Sequence, residues 1–331
     1  MDGNDVEALY RAVFAAPADD GPRLVLADAL QEQGDPRGEF ISLQLQTPRS
    51  QRSDRRMQKL LDRHRTQFLR RLHSAVMPDE NQRWERGFLT EASVVLHGDL
   101  VDAPDWATLR KLEVLFSGTP PVELASRHFR SLKDVARAPL QAVPVLFGAD
   151  HPLGLESVAL QGPPDLSSWP AAEVELIGQA RSLPSLARLT LHCQTPNFAE
   201  ADWVWRMPVL SRIKSLEFLG SFRGVPLEAM LSRVRHAELS PANLIFHASS
   251  MKVRVKREDR FRSLMVELQA LSGVQGLDAM LRSIPADAFD EVLITSITPL
   301  EVSHVATLKR ALKRLELRNV SLPLAPQGRM K

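Results

Sequence analysis

The sequence predicts an α/β protein in which a helical N-terminal module caps an irregular solenoid with a parallel strand ribbon. Three observations predict it. The 331 residues exceed what one compact core usually fills. The first eighty residues carry apolar side chains at helical spacing, and the rest repeats a strand-like pattern. The 23 prolines favour many short elements over a few long helices. We therefore expect a module over residues 1–80 and a solenoid over residues 81–331.

Four short helices are predicted within the N-terminal module. The first covers residues 4–15, where apolar residues recur at helical spacing. The turn-forming stretch 19–22 begins the second helix, and Asp35 followed by a proline begins the third. The fourth covers about residues 50–73. These helices are short enough to pack as one small bundle.

Charge is separated within this module. Residues 1–46 contain nine acidic and three basic side chains, whereas residues 49–71 contain eight arginines and one lysine against two aspartates. Such a basic helix can attract an acidic protein or nucleic acid. It can equally be a solvated face that pairs with the acidic helices before it. The candidate basic patch consists of Arg52, Arg55, Arg56, Lys59 and Arg63.

From Trp84 onward an apolar anchor is followed repeatedly by an apolar-x-apolar triplet. The central residues lie 21 to 31 residues apart once Val135 divides the longest interval. Alternation at period two predicts short strands, and stacked repeats bury a ribbon that no single repeat can bury alone. A compact α/β domain with similar strands is the alternative. The central residues are Leu112, Val158, Leu189, Leu216, Ala237, Leu264, Val292 and Leu315.

Side chains between the anchors are expected to form the exposed inner face of the solenoid. Several are glutamates, which favours a basic partner surface, although exposed strand residues are ordinarily polar for solubility alone. The predicted partner-binding residues are Lys111, Glu113, Arg188, Thr190, His192, Glu217, His236, Glu238, Arg314, Glu316 and Arg318.

The stretch DDGPRLVLADALQEQGDPRGEFISLQLQ resembles the bacterial repeat-companion domain, a short module found beside leucine-rich and related repeats. The sequence of residues 84–89 resembles that family's arginine-glycine-phenylalanine entry into the first strand. Ala29 departs from the pattern, which has an aromatic residue there. The recurring triplets, in turn, resemble degenerate leucine-rich repeats. The matching residues are Pro22, Arg23, Leu24, Ala27, Asp28, Leu30, Gly34, Asp35, Pro36, Arg37, Gly38, Glu39, Phe40, Ile41, Leu43 and Gln44.

Polar residues of this matching stretch have two interpretations. Asp28, Asp35, Arg37 and Glu39 form either a docking or acid–base site, or helix caps and local ion pairs. No phosphate-binding loop, nucleophile elbow or zinc-protease motif occurs, and Cys193 is the only cysteine. We therefore expect a non-enzymatic protein with no cofactor and no metal site.

The function expected is a protein–protein interaction scaffold that uses the solenoid face. The alternative is a nucleic-acid-associated protein that binds through the basic segments 49–71 and 252–262. The acidic N-terminus, which lacks a basic start followed by an apolar run, predicts no secretion signal, and the most apolar stretch is too short to span a bilayer. A cytoplasmic protein without membrane insertion is expected, while the partner's identity and the oligomeric state stay open.

Overall fold

The computed structural model describes most of the chain. The described residues are 3–48, 50–96, 98–115, 120–193, 201–220, 243–247, 250–258, 261–284, 289–315 and 319–321. Their arrangement is mixed α/β. The chain divides into unit 1, Met1–Val158 with Arg181–Ser185, and unit 2, Ala159–Ala180 with Leu186–Lys331. The predicted division after residue 80 stays a prediction.

The four predicted N-terminal helices are confirmed. They are α1 (Gly3–Ala15), α2 (Gly21–Glu32), α3 (Pro36–Leu45) and α4 (Gln51–Leu69), and a 3-10 turn at Arg70–Ser74 follows the last. Further helices lie among the strands. They are α5 (Val143–Phe147), α6 (Ala171–Gln179), α7 (Trp203–Arg206), α8 (Gly273–Ser283) and α9 (Val302–Leu312).

The strands fall largely where period-two alternation predicts them. Unit 1 holds β1 (Arg83–Glu85), β2 (Phe88–Val95), β3 (Lys111–Leu115) and β4 (Asp134–Pro139), and the boundary between the units falls within β5 (Ser157–Gln161). Unit 2 holds β6 (Arg188–His192), β7 (Ser215–Leu219), β8 (Asn243–His247), β9 (Met251–Glu258), β10 (Phe261–Leu268), β11 (Glu291–Ser296) and β12 (Asn319–Ser321).

The strands of unit 1 pair in chain order. β1 and β2 form an antiparallel hairpin, and β2, β3 and β4 are parallel. The helices pack against the start of β2, where the Phe88 ring meets Tyr10 and Phe14 edge-on at 6.4 and 5.9 Å. A second cluster stacks Phe40 on Phe68 at 5.2 Å. The helical bundle and the first strands therefore share buried apolar clusters.

The strands of unit 2 also pair in chain order, but not all in one direction. β6, β7 and β8 are parallel, β9 is antiparallel to both β8 and β10, and β10, β11 and β12 are parallel. The prediction of a wholly parallel ribbon is therefore wrong here. Short connections on both sides of β9 permit hairpins, whereas parallel neighbours need a longer crossover.

One predicted strand is tested only in part. The triplet centred on Leu315 predicted a strand, but α9 continues to Leu312 and Leu315 lies outside any strand, while residues 316–318 are not among the described residues. The apolar residues there follow helical spacing, because Leu308, Ala311 and Leu312 share the buried side of α9. Ala237 lies outside the described residues. In the part of the chain that is described, no helix combines the length and apolar character needed to cross a bilayer.

Candidate functional site

Unit 1 presents a polar row on the side of its sheet opposite the core. Glu113 lies on β3 between buried Leu112 and Val114, so its side chain points away from them. Its Oε1 lies 2.8 Å from Arg137 Nη1, and its Oε2 accepts hydrogen bonds from Ser93 Oγ at 3.2 Å and Asn81 Nδ2 at 3.4 Å. The carboxylate is thus already neutralised. Lys111, two residues earlier, is exposed.

Unit 2 carries a comparable network on the outward side of β6, β7 and β8. The Glu217 carboxylate lies 3.3 Å from Arg188 Nε and 3.4 Å from His247 Nε2, and it accepts a hydrogen bond from Ser215 Oγ at 3.2 Å. Burial raises the pKa of Glu217, but the His247 hydrogen bond and the Arg188 charge outweigh it and leave that pKa lowered. The negative charge of Glu217 is therefore also neutralised by side chains of the same chain.

The centre of the unit 2 face is basic and apolar. Lys252, Arg254 and Lys256 alternate along β9 with buried Val253 and Val255.

Register places Arg254 beside Met265 of β10, and Met265 beside Leu293 of β11. Both apolar side chains are half-buried, and with Lys252 and Arg254 they line a shallow cleft of about 120 Å³. Among the described residues, neither Lys252 nor Arg254 has an ion-pair partner, although Glu267 faces Lys252 in register.

Two predicted face residues differ from the prediction, one in exposure and one in position. Thr190 was expected to be exposed, but only 8% of it is, because its side chain is short and the longer Glu217 stands opposite it on β7. Arg314 follows α9 rather than lying in a strand. Its Nη2 donates to the carbonyls of Leu281 at 3.0 Å and Ile284 at 2.9 Å, and also to that of Arg282. It therefore caps the C-terminal end of α8.

The remaining predicted face residues divide into two groups. Arg188 and His192 lie at the two ends of β6, where Arg188 is exposed and His192 is half-buried. His236, Glu238, Glu316 and Arg318 lie outside the described residues.

The candidate basic patch forms one exposed stripe along α4. Residues at this spacing share a helix face, and the opposite face is buried through Met57 and Leu60. Arg56 is paired with Glu39 through two parallel contacts, Nε to Oε1 at 2.6 Å and Nη2 to Oε2 at 2.5 Å. Within the described chain the other four side chains of the patch, Arg52, Arg55, Lys59 and Arg63, make no ion pair.

The polar residues of the matching stretch act as caps and packing groups. Asp35 is the N-cap of α3 and accepts a hydrogen bond from Arg37 N at 2.8 Å. Arg37 is not an exposed docking group, because only 3% of it is exposed. Glu39 is engaged by Arg56, and Asp28 is exposed on α2. This geometry favours the capping interpretation over the docking site.

Cys193 follows β6 with its thiol buried, and burial raises the pKa of the thiol to about 12. At mildly alkaline pH it therefore stays protonated and shielded. We expect a thiol-reactive disulfide reagent to modify less than one equivalent in the folded protein and about one equivalent after urea unfolding. Stoichiometric reaction of the folded protein would contradict this burial.

The described residues contain no group of three histidine, cysteine or carboxylate side chains that could hold a metal ion. In comparisons with protein-family models, with characterised proteins and with solved structures, nothing matches this chain. What its surfaces can bind is therefore inferred from their own side chains. The sheet face of unit 2 offers charge, hydrogen-bond groups and apolar area, which are the requirements of a binding surface.

Proposed function

We propose that this chain is a non-enzymatic protein–protein interaction scaffold that binds its partner on the outward face of the unit 2 sheet. One observation carries the proposal. The apolar side chains on the core side of β8 to β11 are buried, while on the other side Arg254, Met265 and Leu293 are only half-buried. Arginine and methionine are both enriched at protein interfaces.

The architecture that would present this face is a degenerate leucine-rich-repeat-like solenoid. Strand pairing in chain order within each unit supports it, since each repeat of a solenoid contacts mainly its neighbours. The N-terminal helices, in turn, would act as a repeat-companion-like cap. Their contacts with Phe88 at the start of β2 support that role, because a first repeat otherwise exposes apolar side chains.

The charge of the partner follows from which groups remain unpaired. Glu113 and Glu217 already have cationic partners, so they do not select a basic surface as the sequence suggested. Arg254 has apolar neighbours on both adjoining strands, Ile245 and Met265. We therefore propose that the partner supplies an acidic group flanked by apolar side chains.

A charge-reversal variant tests this assignment. We expect Arg254→Glu to weaken partner binding about tenfold or more, because one attractive contact becomes a repulsive one. The measurement is affinity purification from native cytosol, with and without nuclease, followed by titration of the recovered partner. Lys59→Glu on α4 is the matched control and should retain binding. An equal loss of partner affinity in both variants would contradict a specific role for the sheet face.

Nucleic-acid binding through α4 is the second candidate function. It is favoured by the four side chains of the basic patch that make no ion pair among the described residues. Binding to phosphates releases counterions, so affinity for random duplex DNA would fall steeply with salt. The double variant Arg55→Glu, Arg63→Glu would then abolish that binding and flatten the salt dependence. Under the scaffold proposal the same variant keeps its protein partner, including after nuclease treatment.

A further inference from the structure

A second concave site lies in unit 1, away from the strand faces. It is a cleft of about 260 Å³ between the segment that precedes β4 and the segment that precedes β5. Residues of two stretches, 124–132 and 151–155, line it. The cleft differs from the sheet face because its floor and its rim differ in polarity.

The floor is apolar and the rim is cationic. Leu124, Leu153 and Leu155 line the cleft and are all buried, with at most 8% of each exposed. Arg127 and Arg130 line it from one wall and are exposed. A site of this kind accepts a ligand that carries an apolar body and an anionic end.

Neither arginine is neutralised by a carboxylate contact among the described residues. Arg130 Nη1 donates to the Ala15 carbonyl at 2.9 Å, which compensates no charge. Asp150 stands near Arg127, but its pKa is lowered first by its hydrogen bond to His151 and only to a smaller extent by the Arg127 charge. Two guanidinium groups are thus available at the rim, and a carboxylate is a group that they bind strongly.

The opposite wall provides a hydrogen-bond acceptor. His151 lines the cleft, and its Nδ1 lies 2.6 Å from Asp150 Oδ1. When Nδ1 donates to that carboxylate, the neutral ring presents Nε2 as an acceptor. Nε2 is buried and has no hydrogen-bond partner among the described residues. A buried acceptor left unpaired costs free energy, which an N–H donor on a ligand would recover.

We propose that this cleft binds the apolar C-terminal residue of a protein partner. The terminal carboxylate pairs with Arg127 and Arg130, the apolar side chain packs on the leucine floor, and the backbone N–H donates to His151 Nε2. A C-terminal residue is the protein group that brings these three features together. The site is separate from the face of the scaffold proposal and does not depend on it.

The test uses short fluorescent peptides that end in leucine and anisotropy titration against the full-length chain. We expect the free-acid peptide to bind about tenfold or more tightly than the same peptide with an amidated terminus, since amidation removes the charge that the arginines bind. Replacing the terminal leucine by serine should weaken binding as well, because the leucine floor then gains no apolar contact. Equal affinities for acid and amide would overturn the proposal.

Variants of the protein locate the site. Arg127→Gln should reduce free-acid binding about tenfold and largely remove the difference between acid and amide. Arg52→Gln on α4 is the control for charge alone and should leave both affinities unchanged, as should Arg254→Glu on the sheet face. Unchanged thermal unfolding of Arg127→Gln excludes a folding defect. Retention of acid selectivity by Arg127→Gln would place the carboxylate elsewhere and overturn the assignment.

Discussion

Replacing Arg37 by alanine is expected to lower the free energy of unfolding by about 4 kcal/mol. The guanidinium of Arg37 joins three parts of unit 1. Its Nη1 donates to the Phe68 carbonyl at 2.6 Å and its Nη2 to the Gly87 carbonyl at 3.2 Å, while its centre lies 4.5 Å from the centroid of the Phe88 ring. Alanine would leave two carbonyls without their donor and open a cavity among aromatic rings.

Two further variants separate the contribution of side-chain volume from that of the hydrogen bonds and charge. Arg37→Met restores most of the volume and removes the charge, so it should recover part of the loss and still cost about 2 kcal/mol through the unpaired carbonyls. Arg55→Ala on the exposed stripe of α4 should change stability by less than about 0.5 kcal/mol. Urea unfolding followed by tryptophan fluorescence measures all three. If Arg37→Ala loses no more unfolding free energy than Arg55→Ala, then Arg37 does not hold the helices to the strands.

Gly87→Ala is expected to destabilise the protein by about 3 kcal/mol, the combined cost of backbone strain and overpacking. Gly87 turns the chain from β1 into β2 with a φ of +84°, where a side chain is strained. A Cβ there would lie 2.1 Å from Ile41 Cγ1 on α3, a position that is fully buried. Neither the turn nor the helix can give way without disturbing the hydrogen bond from Gly87 N to Gln44 Oε1, 2.7 Å long.

Gly34 provides the matched control for the backbone contribution. It has a φ of +71° at the end of α2, but an added Cβ there meets no atom within 4 Å. Gly34→Ala should therefore cost only about 1 kcal/mol. The difference between the two alanine variants measures the steric contact with Ile41. Equal losses would mean that the turn and α3 do not approach as closely as described.

The four helices could be predicted because their boundaries are local. Proline and glycine positions, together with Asp35 as a cap, mark where α3 begins without reference to the rest of the fold. Most strands could be predicted for a similar reason. Alternation of apolar and polar residues over about five positions indicates a strand with one buried side. The antiparallel direction of β9 was not predicted, because strand direction depends on the length of the connections.

The sites were harder to predict than the elements. Arg37 is a long charged residue that is ordinarily exposed, and only the assembled bundle brings the Phe68 and Gly87 carbonyls to it. The compensation of Glu217 required His247 from the next strand, which the repeat pattern did not include. Arg127 and His151 are far apart in the chain and line one cleft only in the folded structure. Such juxtapositions leave no local signal in the sequence.

The reversal of direction at β9 has a consequence for how unit 2 folds. β9 and β10 pair through a very short connection, so closing their loop costs little conformational entropy. Each parallel pair in this unit must instead bring together segments that are much further apart in the chain, which slows its formation. The hairpin is therefore expected to form first and to serve as a nucleus, onto which the flanking strands add in both directions.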